Sequence, residues 1–158
     1  MDVAVIPSDE IPARFHRLTL YDEDFVLAVR TGHPFLEAPT LERYCAMQHL
    51  MVSLAGDPHG FVDEVLARRG LARRVALTVP NFMFALAVLA ETDLISALPR
   101  RFALSHAARF GVVSVDAPLP LGSFRLNAVS PKAAMTDAGL TWLFGVLKDA
   151  ERTDLGGE

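Results

Sequence analysis

The segment 79–99, VPNFMFALAVLAETDLISALP, constrains the fold more than any other part of the chain. It begins like the end of a strand and passes through Asn81, a preferred helix N-cap residue, into nine apolar residues over 82–90. A second, mainly apolar segment follows at 93–98. A strand, a capped helix and another strand in succession predict an α/β fold, because this alternation is typical of helices packed on a sheet.

The start of this predicted helix is a candidate ligand site. A cap at Asn81 leaves the backbone N–H groups of Phe82, Met83 and Phe84 pointing outward at the end of a strand. Ligands of α/β proteins bind beyond the carboxyl ends of strands, and a helix N-terminus favours anions such as carboxylates. The sequence contains no G-x-S-x-G nucleophile motif and no phosphate loop. It therefore predicts a protein that holds or senses a small molecule and is not an enzyme.

The rest of the chain continues the alternation. Strands are predicted at 2–6, weakly at 15–20, and at 24–30, 50–52, 74–79, 93–98, 112–115 and 124–129. Helices are predicted at 41–46, from 61 to a terminating Gly70, at 82–90, from Pro99 to 108, and near the C-terminus with the apolar face Met135, Leu140, Leu143, Phe144 and Leu147. We expect a largely parallel sheet, a first strand covered on both faces, and a frayed polar end over 152–158.

Composition restricts the partners and the cellular context. The formal net charge of −4 gives no electrostatic reason for nucleic-acid binding. Cys45 is the only cysteine, so no internal disulfide forms and a reducing cytosol fits. No apolar run approaches the about 20 residues of a membrane-spanning helix. The N-terminal residues also lack the features of a secretory signal. We therefore expect a cytoplasmic protein without membrane association.

No cofactor or metal is expected. The five histidines are scattered without ligand spacing, and His33 precedes a proline, so its expected role is to be extended. Cys45 is expected to be a buried, inert thiol. The acidic runs 22–24 and 63–64 and the arginine pairs at 68–69, 73–74 and 100–101 are expected to be solvated or to complement helix dipoles.

The order of these patterns resembles the C-terminal effector-binding (substrate-binding) domain of LysR-type transcriptional regulators, which is similar to type 2 periplasmic binding proteins. The resemblance is carried by DVAVI at 2–6, LYDEDFVLAV at 20–29, GHP at 32–34, VPNF at 79–82 and DLISALP at 93–99, together with the helix that contains Trp142. It implies two Rossmann-like subdomains joined by two hinge strands, near 24–29 and 124–129.

The resemblance also implies a domain layout. Residues 1–30 and 129–149 correspond to a partial subdomain I, residues 31–128 to subdomain II, and residues 150–158 to a polar tail. In the family, a DNA-binding winged helix-turn-helix, a linker helix and the first half of subdomain I come before the matching segment. DNA would then be bound only through that absent N-terminal domain, and the first subdomain is expected to be incomplete.

The implied function is effector sensing in a bacterial, cytoplasmic regulator. A small molecule, expected to carry a carboxylate, binds in the inter-subdomain cleft and biases its closure, and the protein is expected to be a homo-oligomer such as a dimer. The alternative is a stand-alone small-molecule-binding or dimerising fragment without DNA binding. An uncovered apolar edge at the first strand would invite pairing with another chain.

Five candidate ligand-binding residues belong to the implied subdomain II. Asn81 is either a cap that also contacts the ligand or a cap only. Phe82 and Met83 either line an apolar wall or pack in the core. Ser53 either hydrogen-bonds the ligand or bonds its own backbone in a turn, and Leu54 follows it at the same strand end.

Three further candidates belong to the implied subdomain I. Pro7 and Ser8 follow the first strand and are expected to face the ligand. Tyr21 lies beside a hinge strand, where its hydroxyl either reaches the ligand or is simply exposed.

Overall fold

The structure, a computed structural model, describes residues 2–8 and 10–154, with side chains described as far as residue 150. Its strands are β1 (Ala4–Ile6), β2 (Phe15–Arg30), β3 (Gln48–Val52), β4 (Arg74–Val79), β5 (Ser96–Pro99), β6 (Val112–Val115) and β7 (Ser123–Pro131). Its α-helices are α1 (Leu41–Ala46), α2 (Phe61–Ala67), α3 (Phe82–Ala90), α4 (Arg100–His106) and α5 (Ala138–Asp154). Three 3-10 helices lie at Pro34–Glu37, Ala107–Phe110 and Lys132–Thr136.

The chain folds into two compact units. Unit 1 comprises Met1–Glu23 and Ser123–Glu158, and unit 2 comprises Asp24–Gly122. In unit 1, β7 lies between β1 and β2, and β1 pairs with it antiparallel, with Val5 opposite Ala128. α5 follows through a short 3-10 helix, and Asp137 Oδ1 accepts a hydrogen bond from Leu140 N at 3.0 Å in its first turn.

Unit 2 contains a mixed sheet whose strand order is β4, β3, β5, β2 and β6. β3 and β4 are parallel, and Ile95, just before β5, exchanges backbone hydrogen bonds with β3. β2 runs antiparallel to both β5 and β6. The expectation of a largely parallel sheet is therefore wrong. A buried apolar run such as that of β2 has the same composition in either direction, so its sequence does not reveal how it pairs.

The two faces of this sheet are covered by different helices. Val26 and Ala28 of β2 share one core with α3 and α4, including Leu86 and Leu89. Leu27 and Val29 share a second core with α1 and α2, including Tyr44, Val62 and Leu66. Side chains alternate between the faces of a strand, so adjacent β2 residues serve opposite layers. The α/β prediction is confirmed, and unit 2 has helices on both faces of its sheet.

Several predicted boundaries are wrong for local reasons. The strand at 2–6 is the three-residue β1, and its central Val5 is 52% exposed, so it is not covered on both faces. The separate strands at 15–20 and 24–30 are one sixteen-residue strand, and the intervening residues 21–23 include neither glycine nor proline to interrupt it. Pro99 ends β5 and caps α4 instead of being its first helical residue, and α4 ends at His106. Met135 lies in the 3-10 helix before α5.

The prediction made for Gly70 agrees with the structure, whereas the fraying predicted for residues 152–154 does not. Gly70 adopts the positive φ of 68° that its predicted role requires. Residues 152–154, expected to fray, belong to α5, and 155–158 lie outside the described residues. None of the described helices combines the length and apolar character that a membrane-spanning segment needs.

Candidate functional site

One edge of the unit 2 sheet collects polar residues from several strands. Ser53, Asn81, Arg100 and Asp116 follow the carboxyl ends of β3, β4, β5 and β6 within one or two residues. Because β2 is antiparallel to β5 and β6, the start of its unit 2 portion, Asp24, lies at the same edge, with Phe25 opposite Pro99. We call these five residues the carboxyl edge.

Asn81 is the N-cap of α3, as the sequence predicts. Its backbone is extended, and its Oδ1 accepts a hydrogen bond from Phe84 N at 2.9 Å. This bond uses one of the three N–H groups that the sequence led us to expect outward. Those of Phe82 and Met83 have no acceptor among the described residues. Asn81 is itself exposed, so two unused donors remain at a helix end that favours negative charge.

Ser53 lies directly beside the end of β4. Its N–H donates to Val79 O at 2.8 Å, and its carbonyl accepts from Gly56 N at 3.3 Å. The turn after β3 is therefore closed by the backbone of Ser53, and its Oγ bonds no group in the described part of the chain. The hydroxyl of this half-buried residue remains available, while Leu54 is almost fully exposed.

The first turn of α3 presents apolar side chains outward. Phe82 and Met83 are 37% and 46% exposed, whereas Ala85, Leu86 and Leu89 are the buried residues of this helix. The Phe82 ring contacts that of Phe102 with 5.4 Å between centroids. Core packing thus accounts for the later turns of α3, and its first turn keeps an accessible aromatic and thioether surface beside the free N–H groups.

Arg100 forms an ion-pair cluster that the sequence analysis missed. Its Nε donates to Asp24 Oδ1 at 2.6 Å, and Nη1 and Nη2 both donate to Asp116 Oδ1, at 3.2 and 3.3 Å. The hydrogen bond to Asp24 raises the pKa of the guanidinium further above its ordinary value. Arg100 was expected to be solvated or to complement a helix dipole. One partner lies in β2 and the other directly after β6, and no local pattern marks them.

The three candidates in unit 1 have different environments. Pro7 is exposed at the end of β1, and Tyr21 in β2 is half-buried instead of exposed. Ser8 Oγ accepts from Glu10 N at 3.2 Å, and its carbonyl accepts from Asn127 Nδ2 at 2.7 Å. Asn127, which sequence reasoning missed, is fully buried, and its Oδ1 accepts from Thr19 Oγ1 at 2.8 Å.

A buried polar cluster lies elsewhere in unit 2, formed by Tyr44, His49, Asp63 and Arg73. Asp63 and Arg73 were expected to be solvated, yet the Arg73 side chain is only 3% exposed and pairs with Asp63. Asp63 Oδ2 also accepts from Gly60 N at 2.9 Å, at the start of α2. Burial opposes ionisation of Asp63, but the hydrogen bonds from Arg73 and Gly60 outweigh it and lower the pKa of the carboxyl group.

The other two members of this cluster are held in their neutral forms. His49 Nε2 donates to Tyr44 O at 2.8 Å, which leaves Nδ1 buried without a partner in the described structure. Burial lowers the pKa of His49 to about 4. Burial likewise raises the pKa of Tyr44 to about 12. These residues tie α1, β3 and α2 together, and none of them lies on the carboxyl edge.

Among the residues weighed as possible metal ligands or nucleophiles, His33 and His49 form hydrogen bonds within the fold. The described part of the chain holds no group of three or more His, Cys, Asp or Glu side chains placed for a metal ion. His33 is extended, as expected, and in addition its Nδ1 accepts from Phe35 N and its Nε2 lies 3.0 Å from Asp93 O. Cys45 is only partly buried, and burial raises the pKa of its thiol, which keeps it protonated.

Comparison with known proteins places this geometry in a family. The model of the LysR substrate binding domain matches residues 1–152. The transcriptional activator NagR of a Ralstonia species is 31% identical over 144 residues, which cover 90% of this chain and 48% of that protein. This chain thus spans about half the length of such relatives. They are transcriptional regulators and not enzymes, in agreement with the expected absence of catalysis.

Solved structures of transcriptional regulators have the same fold. The probable transcriptional regulator PA0477 from Pseudomonas aeruginosa superposes with a TM-score of 0.82 at 30% identity, over 94% of this chain and 49% of that one. The regulatory domain of MexT from the same species gives a TM-score of 0.76 at 35% identity, over 90% and 69%.

Two more distant structures share the fold and hold ligands. The effector binding domain of QuiR, at 17% identity and a TM-score of 0.66, is in complex with shikimate, and covers 83% of this chain and 62% of that one. The CcmR regulatory domain of Synechocystis PCC6803, at 17% identity and a TM-score of 0.71, is in complex with 2-PG, over 93% and 74%. The match over residues 1–152 shows that the chain belongs to the family of LysR substrate binding domains.

Proposed function

We propose that the chain is the effector-sensing domain of a LysR-type bacterial transcriptional regulator and that its ligand is a small molecule bearing a carboxylate. The observation that carries the proposal is the start of α3. There, two unused backbone N–H groups, at Phe82 and Met83, open onto the carboxyl edge beside the free hydroxyl of Ser53. Donors without an intramolecular acceptor, at the positive end of a helix, favour an anionic group.

The chemistry of this edge also suits the rest of such a ligand. The exposed parts of Phe82 and Met83 provide an apolar surface against which a carbon skeleton can pack. Asn81 Oδ1 is occupied by the cap, so its amide nitrogen is the group left to contact the ligand. Asn81, Phe82, Met83, Ser53 and Leu54 are therefore the proposed ligand contacts in unit 2, and Pro7, Ser8 and Tyr21 stay predicted contacts in unit 1.

The proposed role in the cell follows from the relatives. We propose that the regulator acts in the cytoplasm as a homo-oligomer such as a dimer, and that it binds DNA through an N-terminal domain of the kind found in the family. Ligand binding alters the output only through a difference in affinity between two states of the regulator. Two distant members of the fold in complex with shikimate and with 2-PG support a small-molecule ligand.

The proposal is tested by calorimetric titration of the chain with shikimate and benzoate, each paired with its neutral amide. We expect saturable binding of at least one carboxylate and much weaker binding of its amide. Asn81→Ser keeps a side-chain cap but removes the amide nitrogen, and is expected to weaken binding at little cost in stability. Thr40→Ala, which removes the cap of α1, is the control expected to leave binding unchanged. Equal binding of acid and amide would contradict the carboxylate assignment.

A dimerising or small-molecule-binding fragment that works without DNA is the second candidate, and one observation favours it. Within the described residues β1 pairs with β7 alone, and Val5 at its centre is half exposed. An uncapped apolar edge strand invites pairing with another chain. If light scattering shows a dimer that Val5→Lys converts to a monomer, without loss of ligand affinity, this second candidate gains support.

A further inference from the structure

We propose that Arg100 recognises the carboxylate of the ligand and that Asp116 is an internal competitor which occupies the guanidinium until the ligand displaces it. This inference rests on the proposed function and adds a charged side chain of the same carboxyl edge to the backbone N–H groups of α3 as a contact for the carboxylate. Arg100 lies on the carboxyl edge with Ser53 and Asn81, since β5, which it follows, lies between β3 and β2.

The pairing of Arg100 with Asp116 leaves part of the hydrogen-bonding capacity of the guanidinium unused. Nη1 and Nη2 converge on a single oxygen of Asp116, at 3.2 and 3.3 Å. A carboxylate that matches the guanidinium fork offers one oxygen to each nitrogen at a shorter distance. The same chain contains such a match, because Arg73 donates to both oxygens of Asp63 at 2.9 Å each. A ligand carboxylate can therefore bind Arg100 in a better geometry than Asp116 does.

The side chains of Asp116 and Arg100 are exposed to solvent, which allows a ligand carboxylate to replace Asp116. The Asp116 side chain is 84% exposed and the Arg100 side chain 38% exposed. Asp116 returns to water when displaced, and an exposed ion pair of this kind contributes little to stability. Asp24, bonded to Nε at 2.6 Å, stays in place and fixes the orientation of the fork. One carboxylate leaves and one arrives, so the charge paired with Arg100 is unchanged by the exchange.

Three variants of the full chain test this assignment by calorimetric titration with shikimate and benzoate. Arg100→Gln is expected to weaken binding at least about tenfold, because a charge-assisted hydrogen bond is lost. Arg100→Lys keeps the charge but not the fork, and is expected to fall between wild type and Arg100→Gln. Asp116→Asn removes the competing charge and is expected to tighten binding about two- to fivefold.

Arg30→Gln is the matched control. Arg30 ends β2 at the opposite edge of the same sheet, and it too donates two nitrogens to a single oxygen, that of Asp93, at 2.8 and 2.7 Å. It is expected to leave affinity unchanged. Wild-type affinity in Arg100→Gln, or weaker binding in Asp116→Asn, would overturn the inference and leave the proposed function standing. If the wild-type chain binds neither carboxylate, the inference and the carboxylate part of the proposed function both fail.

Discussion

Arg73 and Asp63 form a two-pronged ion pair in unit 2, in which two guanidinium nitrogens each lie 2.9 Å from a different carboxylate oxygen. The pair joins the residue before β4 to the first turn of α2, and Asp63 also bonds Gly60 N. A buried pair of this kind need not add net stability, but removing one partner leaves the other charge uncompensated.

Arg73→Met is therefore expected to lower the free energy of unfolding by about 3 kcal/mol. Urea denaturation of the two proteins measures the difference. Arg74→Met is the matched control, since the neighbouring Arg74 is exposed, and it is expected to change stability by less than about 0.5 kcal/mol. Equal effects of the two substitutions would show that the Arg73 pair has no special role.

His49 is expected to make stability depend on pH. Its pKa in the folded chain is lowered to about 4 from 6.5, so the unfolded chain takes up a proton first as the pH falls. The contribution of neutral His49 is fully present above about pH 6.5 and is lost progressively down to about pH 4. Urea denaturation at pH 7 and pH 5 should reveal a loss of about 2 kcal/mol from this group.

The variant His49→Gln should remove most of that pH dependence. His59→Gln, at an exposed histidine, is the comparison expected to retain it. If the wild-type chain and His49→Gln lose stability in parallel between pH 7 and pH 5, another group is responsible for the dependence.

Asn81 is expected to stabilise α3 as well as to bind ligand. Asn81→Ala removes the acceptor of Phe84 N and should lower the unfolding free energy by about 1 kcal/mol. Asn81→Asp keeps a capping oxygen and should preserve stability, while its negative charge should repel a carboxylate ligand. Thermal denaturation with and without ligand separates the two effects, and tighter carboxylate binding by Asn81→Asp would contradict the placement of the anion at this helix end.

Two glycines should respond oppositely to the same substitution. Gly111 has a φ of 69°, so Gly111→Ala should destabilise by about 1 kcal/mol although no atom crowds the new methyl group. Gly145 lies within α5 with open space around it, and Gly145→Ala should stabilise by up to about 1 kcal/mol. Chemical denaturation of both variants measures whether the free energy of unfolding falls for Gly111→Ala and rises for Gly145→Ala. If Gly145→Ala instead lowered the free energy of unfolding, the surroundings of residue 145, and not helix propensity, would determine the effect.

Features encoded by neighbouring residues were predictable from the sequence. The cap at Asn81, the apolar run of α3 and the positive φ of Gly70 each depend on a few adjacent residues, and the structure contains all three. The order of such local signals along the chain also sufficed for the resemblance to the LysR family, which the match over residues 1–152 confirms.

Features that depend on distant pairing were missed. Asp24 and Arg100 are 76 positions apart, and Thr19 and Asn127 are 108 apart, so no local pattern indicates their bonds. The same holds for the direction of β2 and for the exposure of β1, since both depend on which strands lie beside them. The role of each proposed ligand contact likewise depends on the ligand and remains a prediction.

Adjacent residues of β2 belong to different cores, with Val26 and Ala28 on one side and Leu27 and Val29 on the other. A single inserted or deleted residue within this strand would turn every following side chain towards the wrong helical layer. Both layers would then lose their fit at once, because Leu27 and Val26 differ in volume and in the neighbours they touch. Length changes here are therefore expected to be far less tolerated than substitutions among aliphatic residues, because both helical layers of unit 2 fix the register of β2.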